Sequence, residues 1–440
     1  MVRAAPLALL VLFFLAAGAC GTARPRASPP AAPAIPSRHV LPNGVRVIVQ
    51  EHRASHVVAV QLWVRAGGRD EAPSELGLAH YLEHMLFKGT ATRPLGSIDR
   101  AVEGVGGRIN AATSLDYTYY HMVVPSRWAA SGIEVLADIA VNATLDGAAL
   151  EREKLVVLEE MRRGEDNPRV ALLRQLYALV FDSHPYARPV IGDADLVRAL
   201  TRDTLLGFYR RHYTPGAFTL VLVGAVSPAD VVDTATRAFA PLPRTGEDRL
   251  PLPLPPPLAP RHTQLRRPGG HAYLAMGWPA PRLDAADTPA VDLLVSILGE
   301  TRSSRLTQAL RDRHGLVNSV RSSYSALEAA GLVTVFTQLH AANLTRAEEA
   351  IVAEVRRLRA EGVSEAERRR AVTREEARLE FANETAEGRA HRLGAAETLW
   401  RLDAELAYVD RLRAVTREQI AVAARRYLDP ERYARVTSLP

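Results

Sequence analysis

Two imidazoles and a carboxylate fall within five positions of the stretch GLAHYLEHMLFKGT, residues 77–90: His80, Glu83 and His84. On a helix, positions i and i+4 share a face one turn apart, so His80 and His84 offer nitrogens to one ion. Zinc takes imidazole ligands in tetrahedral geometry and keeps one position open where it is catalytic. Glu83 stands beside the pair and is not needed as a ligand, which places it to take a proton from an activated water. The glutamate precedes the second histidine, the inverted form of the zincin motif. Leu82, Met85, Leu86 and Phe87 around it are apolar, so the helix is substantially buried and its polar residues need partners. A third ligand is expected from an acidic helix. EREKLVVLEEMRRGEDNP, residues 151–168, offers Glu153, Glu159 and Glu160. Glu153 and Glu160, seven apart, share one face, but helical spacing leaves the choice between Glu159 and Glu160 open.

Several elements must position these groups. VLPNGVRVIVQEH reads as a hairpin turning at Asn43-Gly44, and HVVAVQLWVRAGG as a mostly buried strand. Helical periodicity runs through Leu76–Phe87, Trp128–Asn142 and Ala149–Gly164, and residues 219–226 read as another buried strand. TRDTLLGFYRRHYTP at 201–215 recurs as TREQIAVAARRYLDP at 416–430. Thr201, Arg202, Arg210, Arg211 and Pro215 return as Thr416, Arg417, Arg425, Arg426 and Pro430. The expected fold class is therefore α+β: two homologous domains, 38–240 and 262–440, each a mixed or antiparallel sheet covered by helices. The proline-rich segment 241–261 is read as the linker between them.

With 440 residues, 47% hydrophobic and 24% charged, the chain has enough apolar content for two such cores. Its formal charge of +6 does not point to nucleic acid. Lys88 and Lys154 are the only lysines, and the arginines are interspersed with acids rather than forming a stripe among aromatics. Residues 1–20 combine Arg3, an apolar run from Leu7 to Ala17 and small residues before Cys20, the pattern of a secretory signal. AGAC resembles a bacterial lipobox, so Cys20 is the expected lipidation site. The same residues also fit plain secretion with an incidental cysteine. Residues 21–37 read as a Pro/Ala-rich tether.

HYLEHMLFKGT, GGRINAATSLDYTYYHMVVP, EREKLVVLEEM, EDNP, HPYARPVIG and LTRDTLLGFYRRHYTP together resemble the pitrilysin/insulinase family of zinc peptidases, in particular its short bacterial, mitochondrial-processing-peptidase-like members. The pieces occur in family order over most of residues 40–240. The resemblance implies one Zn2+ per chain held by His80, His84 and Glu160, with Glu83 as general base and Glu153 as a second acid supporting the ligands or proton transfer. It implies that Asn110 helps hold the substrate backbone and that each chain forms half of a clamshell chamber. Peptide would join a sheet edge there as an extra strand.

The second half departs from the family. Arg311 matches a substrate-gripping arginine, but Asn318 stands where a tyrosine is usual. Tyr324 is out of register, and LGETRSSRL replaces a glycine-rich run. No second HxxEH occurs. The expectation is a zinc endopeptidase acting on unfolded peptides as the active subunit of a dimer, with a zinc-less paralogue or with a second copy. The alternative is a catalytically silent structural or binding subunit. The expected location is the periplasmic face of a bacterial envelope, lipid-anchored, the outer membrane ahead of the inner. A mitochondrial location is disfavoured because the N-terminus is uniformly apolar rather than amphipathic and Arg-rich. His121, His184 and His212 are read as structural.

Overall fold

The computed structural model describes residues 35–245 and 249–440. The signal segment 1–20, Cys20 and most of the tether lie outside the described residues. Among the described residues, ten strands divide equally between two sheets of one topology, and an eleventh widens the first sheet. The first sheet contains β1 (Ser37–Val40), β2 (Arg46–Glu51), β3 (Val57–Val64), β4 (Arg108–Thr113), β5 (Thr118–Pro125) and β6 (Phe218–Gly224), in the order β1-β2-β6-β3-β5-β4. The second contains β7 (Arg261–Arg266), β8 (Ala272–Ala280), β9 (Val317–Ala326), β10 (Gly331–Leu339) and β11 (Ala434–Leu439), in the order β7-β11-β8-β10-β9.

Both sheets carry one parallel pair, β2–β6 and β7–β11, and are otherwise antiparallel. Equivalent strands occupy equivalent places, and the helices Arg202–His212 and Arg417–Tyr427 repeat at the spacing seen in the sequence. Trp63 of β3 and Trp278 of β8, one in each half, are both fully buried. The hairpin between β1 and β2 turns as expected, with Gly44 at φ 104, a left-handed conformation that glycine adopts without steric cost.

The inner face of the first sheet packs against the helices Leu78–Leu86, Ala129–Val141 and Pro228–Phe239, forming one large apolar core. The second sheet builds its counterpart with Thr288–Val295, Leu344–Glu361 and Arg417–Tyr427. The opposite faces are covered by exchange. Helix Ala386–Leu399, late in the chain, lies on the first sheet against Trp63, Val221 and Val223. Helix Pro168–Phe181, from the first half, lies on the second sheet, where Leu172, Leu176 and Phe181 meet Ala275, Leu332 and Val436. Each buried leucine there stabilises the join by about 1.5–3 kcal/mol.

The described part of 241–260 has no regular structure, yet it is anchored. Arg249 pairs with Asp70 at 2.7 Å and Glu328 at 2.8 Å, next to Arg69 and Asp116. This buried charge cluster joins the first half, the linker and the second half. No described helix is long and apolar enough to cross a membrane.

Candidate metal centre

The motif helix Leu78–Leu86 buries Leu78, Tyr81, Leu82, Met85 and Leu86, and turns His80 and His84 toward the helix Gly147–Asp166. Its start is made by a residue outside it. Gly77 takes a left-handed conformation, φ 98, and has no side chain with which to cap the helix. The buried Glu71 carboxylate supplies the cap, accepting from the Gly77 amide at 3.0 Å and the Ala79 amide at 2.8 Å. The Tyr81 hydroxyl donates to the Leu150 carbonyl, fastening the motif helix to the acidic helix.

The two imidazole rings stand 4.7 Å apart, tilted by 67°. Both Nε2 atoms face one carboxylate oxygen, Glu160 Oε2, at 3.7 Å from His80 and 3.5 Å from His84. Ligands held about 2.0–2.1 Å from a tetrahedral zinc stand about 3.3 Å from one another, so the spacing fits that ion. The surrounding chemistry fits it as well. Burial, with His84 next in effect, pushes His80 down to about 4, so its imidazole is neutral and available. His80 Nδ1 is buried with no hydrogen-bond partner among the described residues. His84 Nδ1 donates to Glu153 Oε1 at 2.9 Å, the carboxylate–histidine pairing that orients a metal ligand. Burial alone would lower His84, but Glu153, Glu160 and Glu83 hold it above its ordinary value. Burial likewise opposes ionisation of Glu153, yet hydrogen bonds from His84 and Lys88 hold its carboxyl below the usual range. Lys88 Nζ reaches Glu153 Oε2 at 2.8 Å.

Glu159 and Glu160 point in different directions. Glu159 turns to solvent and pairs with Arg162 at 2.8 Å and Arg163 at 3.1 Å. Glu160 completes the cluster with the histidines. Glu83 is buried on the same helix, its Oε2 accepting from the Thr113 hydroxyl at 2.6 Å. Burial raises its proton affinity.

The other expected site residues stand apart. Asn110 lies on β4, the outermost strand of the first sheet, and is exposed. Its cross-strand partner is His121, whereas Thr113 pairs with Thr118, so Asn110 and the residue touching Glu83 are on opposite sheet faces. The Asn110 side chain accepts from the Ala111 amide. Arg311 is half exposed and pairs with the adjacent Asp312 at 2.8 Å. Asn318 is exposed at the start of β9, and the Tyr324 hydroxyl is spent on the Pro281 carbonyl at 2.6 Å. Among the described residues, the His80–His84–Glu160 cluster is the one metal-type grouping. His121 pairs with Glu387 at 3.0 Å across the two halves, and His184 Nε2 lies 3.1 Å from the Pro253 carbonyl of the linker.

Three supporting residues, Glu71, Lys88 and Thr113, were not singled out in the sequence. Lys88 left the clearest signal, since it follows His84 by one helical turn and is one of two lysines in the chain.

Two family models match the chain: Insulinase (Peptidase family M16) over residues 46–194, and Peptidase M16 inactive domain over residues 199–375. An uncharacterized zinc protease of Mycobacterium tuberculosis is 34% identical over 323 residues, covering 71% of this chain and 72% of that protein. An uncharacterized zinc protease of Bacillus subtilis is 29% identical over 412 residues, covering 90% and 96%. In fold, the crystal structure of a protease from Helicobacter pylori superposes with a TM-score of 0.86 at 23% identity, covering 92% of this chain and 99% of that one.

Proposed function

Because the chain belongs to the insulinase (M16) family of peptidases, we propose that it is a zinc-dependent endopeptidase that hydrolyses peptide bonds in unfolded polypeptides. One observation carries the reading: two neutral-capable imidazoles and the Glu160 carboxylate converge at metal-ligand spacing beside a buried, independent carboxylate, Glu83. His80, His84 and Glu160 would hold the ion, which when bound supplies Lewis acidity at the scissile carbonyl.

The chain's own residues do the rest. Thr113 fixes one oxygen of Glu83, and burial raises the proton affinity of that carboxylate above the ordinary value, which favours its acting as a base. Glu83 takes a proton from the attacking water and delivers it to the departing amine. Glu153, held by Lys88, keeps His84 turned with Nε2 toward Glu160, where it would serve as a ligand to the ion. The exposed outer strand β4 offers unpaired backbone groups along which an extended peptide aligns.

The opposite grip is supplied in trans, by a zinc-less paralogue ahead of a second copy of this chain. Arg311 is engaged by Asp312 and Tyr324 by Pro281, which leaves neither as a ready clamp. The leader and Cys20 support an acylated protein on the periplasmic side of a bacterial envelope, the outer membrane ahead of the inner.

Replacing Glu83 by Gln tests the assignment: the variant should retain stoichiometric zinc and lose turnover of unstructured peptides by several orders of magnitude. If the zinc-loaded wild type leaves such peptides intact, alone and with any paralogue encoded beside it, the silent-subunit reading replaces this one.

A further inference from the structure

The two halves of the chain meet at equivalent turns. Residues 114–117 join β4 to β5 at one end of the first sheet, and residues 327–330 join β9 to β10 at the matching end of the second. Asp116 in the first turn accepts from the Glu328 amide in the second at 2.9 Å and from the Tyr186 hydroxyl at 2.6 Å. That hydroxyl oxygen accepts in turn from the Ala329 amide at 3.0 Å.

Three guanidinium groups and three carboxylates close around this contact. Arg65 reaches Glu328 at 2.6 Å, and Arg69 lies 3.5 Å from Asp116 and 3.3 Å from Glu328. Arg249 of the linker engages all three of its guanidinium nitrogens. Its Nε and Nη2 grip the two oxygens of Asp70 at 3.0 and 2.7 Å, and its Nη1 donates to Glu328 at 2.8 Å. The Arg249 side chain is only 8% exposed, so these bonds form away from bulk water. A planar fork holds two carboxylates from different segments at one fixed separation, which an ammonium on a flexible stem does not.

The cluster touches both supports of the metal centre. Asp70 immediately precedes Glu71, whose carboxylate caps the motif helix at Gly77 and Ala79, next to His80. Asp70 is itself fixed in the turn that leads there, its Oδ2 accepting from the Gly67 amide at 2.9 Å. Asp116 follows Thr113, which holds Glu83, by three residues. Glu328 belongs to the second half. Arg249 therefore ties the segment leading into the motif helix to the other half of the molecule.

We propose that Arg249 is a positioning residue for the metal centre. By clamping Asp70 against Glu328 it sets the place of Glu71, and through the Glu71 cap the place of His80 opposite Glu160. Docking of the two halves and zinc binding are thereby coupled. The effect on zinc stands on the ligand cluster alone, and its consequence for turnover rests on the peptidase reading above.

Two assays on the full chain test it: zinc affinity, by competition against a chromophoric chelator, and turnover of unstructured peptides by the zinc-loaded protein. Arg249→Met should lower zinc affinity about tenfold and lower kcat with KM unchanged. Arg249→Lys should restore little of either, since one ammonium cannot span both carboxylates in the same geometry. Asp70→Asn keeps an acceptor for the Gly67 amide and should cause a similar loss. The double variant R249M/D70N should be no worse than R249M, because both changes break one path. If R249M does not fold, D70N decides. Gly394→Ala is the control for general loosening: its Cβ strikes Trp63 where the halves join elsewhere, and it should leave zinc affinity within about twofold. Unchanged zinc affinity in R249M or D70N, additive losses in the double variant, or an equal loss in G394A overturn the proposal. Weakened zinc binding in R249M and D70N, with no turnover by the wild type, supports the positioning role and defeats the peptidase reading.

Discussion

The imidazole of His84 and the carboxylate of Glu153 meet at 2.9 Å, Nδ1 to Oε1, on the edge of the ring away from Glu160. The bond fixes the tautomer that leaves Nε2 free to ligate, and Lys88 fixes Glu153 in turn. Glu153→Gln should therefore lower zinc affinity by about 10–100-fold, measured by competition against a chromophoric chelator. Lys88→Met should lower it less, since it acts through Glu153. Unchanged zinc affinity in E153Q would remove Glu153 from the ligand support.

Glu71 and the Gly77 and Ala79 amides make a second dependency, because both N–H groups are buried at a helix start that has no cap of its own. Glu71→Ala leaves them unsatisfied, at a cost of about 1–3 kcal/mol for each group so buried. The urea midpoint should fall, and zinc affinity with it, since Ala79 directly precedes His80. Glu71→Gln keeps an acceptor oxygen and should recover part of both. A lower midpoint with zinc affinity intact would confine Glu71 to the fold.

How much of this was legible follows from the range of each interaction. His80, Glu83 and His84 could be read because a helix brings i and i+4 together whatever surrounds it. The duplication could be read because the helices Arg202–His212 and Arg417–Tyr427 kept the Thr-Arg at their start, the Arg-Arg pair near their end and the proline beyond it. The choice of Glu160 over Glu159 required the fold or the family pattern, since the two are neighbours on the helix and only packing shows which one Arg162 and Arg163 draw to solvent. Glu71 caps a helix from six residues away, and the exchange of Ala386–Leu399 for Pro168–Phe181 is a tertiary event with no local periodicity to announce it. The placement of Asn110 was partly available: it is three residues from Thr113, and strand alternation puts such residues on opposite faces.

Asp292, half-buried on the helix Thr288–Val295 of the second half, gives the fold a pH dependence. Burial pushes its carboxyl up to about 7, against the Tyr408 hydroxyl that donates to it and Arg378, and with Glu375 and Glu300 adding like charge. In the unfolded chain the group titrates near about 3.9. Between those values the folded state binds the proton and the unfolded state does not, so this contribution is full at low pH and is lost as pH rises through about 7. Asp292→Asn removes the titration. Urea midpoints measured from pH 5 to 8 should show the variant gaining on the wild type as pH rises, and a constant gap would place the Asp292 pKa near its ordinary value.

The exchanged helix Ala386–Leu399 is seated on the first sheet through Gly394 and Trp63. A Cβ at Gly394 would stand 2.1 Å from Trp63 Nε1 and 2.5 Å from Cε2, atoms of a rigid, fully buried ring whose N–H already donates to Gln61 Oε1 at 2.9 Å. Neither partner has a flexible end to give way, so one methyl group must lift the helix or displace the indole. Gly394→Ala should cost about 1–3 kcal/mol as overpacking, although alanine favours a helix over glycine by about 1 kcal/mol. Gly147→Ala makes the control, because nothing lies within 4 Å of its Cβ and its midpoint should move by about 0.5 kcal/mol at most. Since Ala386, Ala390 and Leu393 leave the sheet with the helix, the lost stability should come with a red shift of tryptophan emission as Trp63 meets water. An unshifted midpoint and emission in G394A would mean that this helix does not close the first sheet in solution.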